Sequence, residues 1–477
     1  MDGGYVEGCG ESAPRMWNHQ QEAVDFARDR AATLWHMGMG TGKSRCAVQV
    51  ADEHKAKKIL ILCPLSVIPA WEKQFRLFGE RGYEICLLRK GGVKGKSKKL
   101  KEALSRAKHN AWPLVVVVNF ESARCAPLSD MLMKEGWDLL IMDEIHRIKS
   151  PAGKASRWVS RLAKLVKKKI GLSGTIMPHS TMDVYAQFRS LDPMIFGWSF
   201  VKFRKRYAKM GGWGGKQIVG DQNIDELRAK MATITYQADR GVLDLPDAIH
   251  HTIDVDLSKA ATRIYKDLSD NLTAEIKDGT VVASNALVKL LRLQQLTSGV
   301  ATVDGDPPVV VRVDESKRDA LSDIIENLPV DEPLVAFGVF RADLDTIHEA
   351  AAKAKRGSLE LSGRRKELEA WQAGEAPILA VQIKAGGVGI DLTKAGGKPC
   401  SYCVFLSTGF NLGDYEQALA RIHRPGAERT VFYYHLLAEN TVDVQVFHAL
   451  RARKDAVEAV LENLAGAESP EPQINRR

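Results

Sequence analysis

The chain has 477 residues, 45% of them hydrophobic and 27% charged, and its 68 Lys+Arg against 59 Asp+Glu give a net charge of +9. That length accommodates about three domains, or two with insertions, whose cores need no disulfide staples. No uncharged apolar run reaches about 18 residues, so no transmembrane helix is expected. The acidic start Met1–Tyr5 lacks an apolar stretch, so no secretory signal is expected either, and seven cysteines fit a reducing cytoplasm better than a disulfide framework. The charge is uneven: residues 1–240 carry +17 and residues 241–477 carry −8. A basic first half suggests a polyanion partner.

In chain order, short apolar runs at Ile59–Cys63, Leu114–Val118, Leu139–Met142 and Ile170–Leu172 have strand length, and several are continuous, as in parallel strands buried on both faces. Ser66–Phe78 between them has helix length, and Lys167-Lys168-Lys169 reads as a helix end, where cations meet the negative dipole terminus. Residues 196–314 read as a mainly helical insertion and linker, with Ala286–Leu296 apolar at helical spacing. The Gly-rich loop around Trp213 in that stretch is either a strand-guiding pin or a flexible turn. A second alternation follows: helix Ala320–Asn327 and strands Leu334–Phe337, Ile378–Val381 and Val404–Leu406. Cys400 and Cys403 lead into the last of these and read as core residues rather than metal ligands. The expectation is an α/β chain with two parallel-sheet blocks, 15–195 and 315–455, a loose start at 1–14, and a helix end with a loose tail at 456–477.

Gly38-Met39-Gly40-Thr41-Gly42-Lys43-Ser44 precedes a helical stretch. Small residues let backbone N–H groups turn toward a phosphate, a lysine spans the phosphates and a hydroxyl serves Mg²⁺. Met37 stands where the strict phosphate-loop pattern has its first glycine. One hundred residues on, Leu139–Met142 runs into Asp143-Glu144-Ile145-His146. Acids closing an apolar strand sit at the sheet edge where open α/β folds bind ligands. There Asp143 suits the Mg²⁺ shell and Glu144 the attacking water.

These residues resemble the SWI/SNF-type DNA translocases of the superfamily-2 helicases. Gln20, in Trp17–Glu22, resembles the adenine-reading glutamine, and Met39–Ser44 resembles motif I. Cys63-Pro64-Leu65-Ser66 with Trp71-Glu72-Lys73 resembles motif Ia, followed by Asn119-Phe120-Glu121, the DEAH-type Asp143–His146 and the motif III-like Leu172–Thr175. Phe337 lies in a motif IV-like strand, Lys384–Leu392 resembles motif V, and Gln417–Gly426 resembles motif VI. The series departs from the branch at Gln382 and Ile383, at Ile176 and at Ala427.

The resemblance implies two RecA-like lobes in tandem and a Mg²⁺-ATP-driven motor moving along duplex DNA. It assigns catalysis to Lys43, Asp143, Glu144, Arg421 and Arg424, and the metal to Ser44 and Asp143. ATP contacts are expected from Gln20, Gly40, Thr41, Gly42, Lys43, Ser44, Gly389, Asp391 and Gln417. Backbone phosphates fall to Pro64, Ser66, Asn119, Lys384, Gly386 and Gly387, with added charge from Lys94–Lys99 and Arg204-Lys205-Arg206. No residue is expected to read bases, no membrane is expected, and a bacterial or bacteriophage-infected cytoplasm suits such a compact motor. Two alternatives stand beside this reading: a strand-separating DNA or RNA helicase, and an ATP-gated nucleic-acid clamp without appreciable turnover.

Overall fold

A computed structural model of the chain describes residues 3–7, 14–178, 180–211, 217–238, 240–243, 245–271, 273–276, 279–282, 286–303, 309–384 and 390–461. They cluster into two compact units, whose boundaries in sequence fall between Leu243 and Asp244 and again between Lys454 and Asp455.

The first unit is built on strands β1 (Gly3–Val6), β2 (Ala32–Met37), β3 (Lys58–Cys63), β4 (Tyr83–Leu88), β5 (Leu114–Asn119), β6 (Leu139–Asp143), β7 (Lys168–Ser173) and β8 (Thr235–Ala238). They form one sheet in the order β1-β4-β5-β3-β6-β7-β2-β8. All neighbours are parallel except the edge pair of β1 and β4. The uninterrupted Val115–Val118 run is explained by burial on both faces. Each such side chain contributes about 1.5–3 kcal/mol relative to leaving it in water.

The second unit holds β9 (Ala248–Val255), β10 (Leu334–Gly338), β11 (Ser358–Leu361), β12 (Ile378–Gln382), β13 (Tyr402–Phe405) and β14 (Val431–Ala438). The order is β9-β14-β13-β10-β12-β11, parallel throughout. Alternate residues feed two cores: Val335, Phe337, Leu379, Val381, Cys403 and Phe405 enter one, and Leu334, Ala336, Ile378, Ala380 and Val404 the other. Cys400 and Cys403 are buried, as expected of core residues. Burial pushes the Cys400 thiol up to about 12 and that of Cys403 well above its usual range, so both stay protonated.

Two stretches differ from the sequence expectation. Lys168 and Lys169 open β7 instead of closing a helix, because the preceding helix already stops at Ala163. Lys168 still serves a helix end: its ammonium donates to the carbonyls of Ala27 and Arg28, at the end of the helix Asn18–Arg28. Residues 196–314 carry the helices Phe200–Tyr207, Ile224–Ala232, Lys259–Asn271 and Ala286–Thr297, but strands are interleaved with them. Thr235–Ala238 adds β8 beside β2 in the first sheet, and Ala248–Val255 adds β9 beside β14 in the second. Edge strands bury less on their outer side, so both are polar enough to escape an apolar pattern.

Candidate functional site

Parallel pairing brings the C-terminal ends of β2, β3, β5, β6 and β7 to one sheet edge, and the motif residues of the first unit leave those ends. The loop after β2 turns into the helix Lys43–Glu53 through Gly42, which adopts a left-handed conformation with φ 88°. The first N–H groups of a helix have no partner within it, an arrangement that favours an anion. The Lys43 ammonium lies over the loop, donating to the carbonyl oxygens of Met37 at 2.8 Å and Gly38 at 3.0 Å. The Thr41 hydroxyl donates to the Gly38 carbonyl at 2.7 Å, and Ser44 lies in the first helical turn.

Gln20 is buried against this loop. Its Nε2 donates to the Thr41 carbonyl at 3.0 Å, while its Oε1 accepts the Trp17 N–H at 3.1 Å. The His19 ring nitrogen Nε2 lies 2.9 Å from the same Thr41 oxygen. A Cβ on Gly42 would stand 2.2 Å from Gln20 Nε2, so the glycine is required by both the approach and the positive φ.

At the end of β6, Asp143 and Glu144 are both buried. Burial and the neighbouring Glu144 charge push the Asp143 carboxyl well above the usual carboxylate range, against the pull of Lys43 and of the Trp71 indole. Trp71 Nε1 donates to Asp143 Oδ2 at 3.1 Å from the helix Ile68–Phe78. In the sequence Trp71 stands in the motif Ia-like run with no role of its own; a buried indole N–H usually finds an acceptor, and here that acceptor is Asp143. Glu144 takes a left-handed conformation, φ 53°, which costs about 1 kcal/mol or more for a residue with a Cβ. Its carboxylate is 3.3 Å from His146 Nδ1, which is 2.9 Å from Ser173 Oγ. Ser173 Oγ also accepts the Thr175 N–H at 3.1 Å, and His36 of β2 reaches the Gly174 carbonyl at 3.1 Å. The end of β2 and the segments after β6 and β7 are thus joined by side-chain bonds.

The other expected contacts are placed unevenly. Pro64 is buried, whereas Leu65 and Ser66 are exposed on a turn; the helix starts at Ile68, two residues later than Ser66. Asn119 is buried and engaged on both sides, accepting from Lys96 Nζ at 3.2 Å and donating to Glu121 Oε2 at 2.8 Å. Lys96 is itself buried, its pKa lowered by desolvation, so it does not add to the surface charge expected of Lys94–Lys99.

In the second unit Lys384 is exposed just beyond β12. Gly386, Gly387 and Gly389 lie outside the described residues, as does Trp213. Asp391 Oδ1 accepts from the backbone N–H of Thr393 at 2.9 Å and from its hydroxyl at 2.7 Å. Gln417 lies on the helix Leu412–Leu419. The Arg421 carbonyl accepts the Leu392 N–H at 3.0 Å, and Arg424 Nη1 donates to the Ile390 carbonyl at 3.0 Å. The motif V-like and motif VI-like segments are therefore held side by side, with Arg421 buried and Arg424 partly so.

The family model of the SNF2-related domain matches residues 19–299, more than half of the chain. The chain belongs to this family, the SWI/SNF-type branch of the superfamily-2 helicase-like ATPases. It is 25% identical to protein p41 of Acyrthosiphon pisum secondary endosymbiont phage 1, over 94% of this chain and 98% of that one. It is 28% identical to the Caenorhabditis elegans SWI/SNF-related matrix-associated actin-dependent regulator of chromatin subfamily A-like protein 1 homolog, over 93% of this chain but only 61% of that protein. A solved structure, the Sulfolobus solfataricus SWI2/SNF2 ATPase core in complex with dsDNA, is 18% identical over 96% of this chain with a TM-score of 0.42.

Proposed function

We propose that this chain is an ATP-driven motor that moves along duplex DNA. The observation that carries the reading is the meeting of the Gly38–Ser44 loop and the buried Asp143–Glu144 pair at one edge of a parallel sheet, close enough for the Lys43 charge to act on Asp143. Lys43 leaves its carbonyl partners to hold the β- and γ-phosphates, whose oxygens are stronger acceptors. Gly40, Thr41 and Gly42 present backbone N–H groups, and Gln20 reads the adenine edge. Glu144 orients the attacking water. An oxygen donor set of the Ser44 hydroxyl and the Asp143 carboxylate suits Mg²⁺. When bound, the ion supplies charge neutralisation on the phosphate oxygens.

Arg421 and Arg424 of the second unit answer the γ-phosphate, with Asp391, Gln417 and Gly389 as further nucleotide contacts. An arginine of this kind is worth about 10³–10⁵ in rate. Pro64, Ser66, Asn119, Lys384, Gly386 and Gly387 follow the DNA backbone. Support for DNA comes from family membership and the basic first half, and the Caenorhabditis elegans relative is named a regulator of chromatin.

The test is steady-state phosphate release with duplex DNA, single-stranded DNA and RNA in parallel. Wild-type protein should be stimulated most by duplex, and Lys43→Ala should fall by at least about 10²-fold. A Lys43→Ala protein with wild-type stimulated turnover overturns the site assignment. Triplex-strand displacement without duplex unwinding separates translocation from strand separation.

A further inference from the structure

Residues 193–220 hold six cations and no acid, in a chain that is otherwise 27% charged with both signs mixed. The structure places this stretch on the helix Phe200–Tyr207 and on a two-stranded antiparallel ribbon, Ala208–Gly211 against Gln217–Asp221. The ribbon joins neither large sheet. Lys202, Arg204, Lys205 and Lys209 are exposed, and so are the apolar side chains of Val201, Met210, Ile218 and Val219.

A lone two-stranded ribbon is marginal in water, and exposed apolar strands are normally avoided. Here the base is fastened. Glu226 accepts from Arg206 and from the Tyr207 hydroxyl, the latter at 2.8 Å, and pairs with Lys230 at 3.0 Å. These donors hold the Glu226 carboxyl down to about 2. Gln222 Nε2 donates to the Lys205 carbonyl at 3.0 Å, Asn223 Nδ2 to the Arg206 carbonyl at 2.6 Å, and Thr181 Oγ1 to Asp221. The network takes Arg206 out of the basic set and, among the described residues, leaves Lys202, Arg204, Lys205 and Lys209 at the root of the ribbon. A bulge between Lys209 and Met210 adds twist.

We propose that this helix and ribbon form a second duplex-DNA grip, apart from the motif residues. Lys202, Arg204, Lys205 and Lys209 neutralise backbone phosphates, while the twisted ribbon, narrow enough for a major groove, rests its apolar face against the duplex. Charge complementarity selects the occupant: four exposed cations against a single ribbon acid, Asp221, which is engaged by the Thr181 hydroxyl, match a polyanion. The inference rests on the motor reading above.

The experiment measures duplex-DNA affinity across salt concentrations for wild type and for the quadruple variant Lys202→Ala, Arg204→Ala, Lys205→Ala, Lys209→Ala. The slope of log affinity against log salt should become shallower by about 3, with at least a roughly tenfold loss of affinity at 50 mM salt. The DNA concentration that half-saturates the ATPase should rise, while DNA-free turnover and the melting temperature stay unchanged. Should the quadruple variant fold poorly, the single reversals Lys205→Glu and Lys209→Glu must each reduce the slope. A slope equal to wild type, in a protein whose ATPase responds to DNA, overturns the grip alone. Wild-type protein with no DNA response overturns the motor reading and the grip together.

Discussion

Gly42 shows how a single position can be fixed twice over. Its φ of 88° excludes most side chains, and the Gln20 amide occupies the space a methyl group would need. Gly42→Ala should weaken ATP binding by about tenfold, from a left-handed cost of roughly 1–2 kcal/mol. The melting temperature of the nucleotide-free protein should fall by a few degrees as well, because Gly42 already holds that left-handed conformation without ATP. Titration with a fluorescent ATP analogue checks this; an unchanged affinity means the loop does not hold nucleotide in this conformation. Glu144 is the counterpart, a residue with a Cβ kept in the same backbone region, as is common where a site dictates the chain path. The positive φ of Gly42 suits the phosphate-loop composition, but the contact with Gln20, 22 residues away, is a tertiary fact.

At the scale of elements, Ser173 at the end of β7 ties two loops together through His146 and Thr175. Ser173→Ala removes the hydroxyl that accepts the buried Thr175 N–H, at a cost of about 1–3 kcal/mol. Chemical denaturation should register that loss, and kcat should fall while KM for ATP holds, because the bond positions the Glu144 segment and not the phosphate loop. A change confined to KM would contradict this role. The continuous strands were legible because two-sided burial demands apolar residues at every position, as in Leu114–Asn119. β2 and β4 were not, although both are almost wholly buried: Thr33, His36 and Glu84 interrupt their apolar runs. The Glu84 carboxylate is retained by the Arg106 guanidinium, and only the fold supplies that partner.

Across the whole molecule, a buried histidine makes the second unit acid-sensitive. Burial, with His250 nearby, pulls the His435 imidazole down to about 3. Its ring is stacked at 5.0 Å on Phe405, with Nε2 2.8 Å from the Tyr415 hydroxyl. Unfolded histidine titrates near 6.5, so the unfolded chain binds the proton that the native ring refuses. Stability is complete above that pH and is lost as pH falls toward 3, by about 2 kcal/mol at pH 5. Urea melts between pH 7 and 5 should show the loss, and His435→Gln should flatten it. A His435→Gln protein that loses as much stability between pH 7 and 5 as the wild type excludes a buried neutral imidazole, a comparison in which the opposite contribution of Asp143 cancels.

The residues alone point to the proposed nucleotide chemistry, since a glycine loop with lysine and serine, and adjacent acids closing an apolar strand, have few other uses at that spacing. They also carried both parallel-sheet blocks, because burial on two faces writes itself as unbroken apolar runs. Edge strands such as Thr235–Ala238, the indole bond of Trp71 to Asp143, the burial of Lys96 and the fastening of the ribbon by Glu226 left no mark in the pattern. Each depends on partners brought together from distant parts of the chain, and no local periodicity records the distance between them.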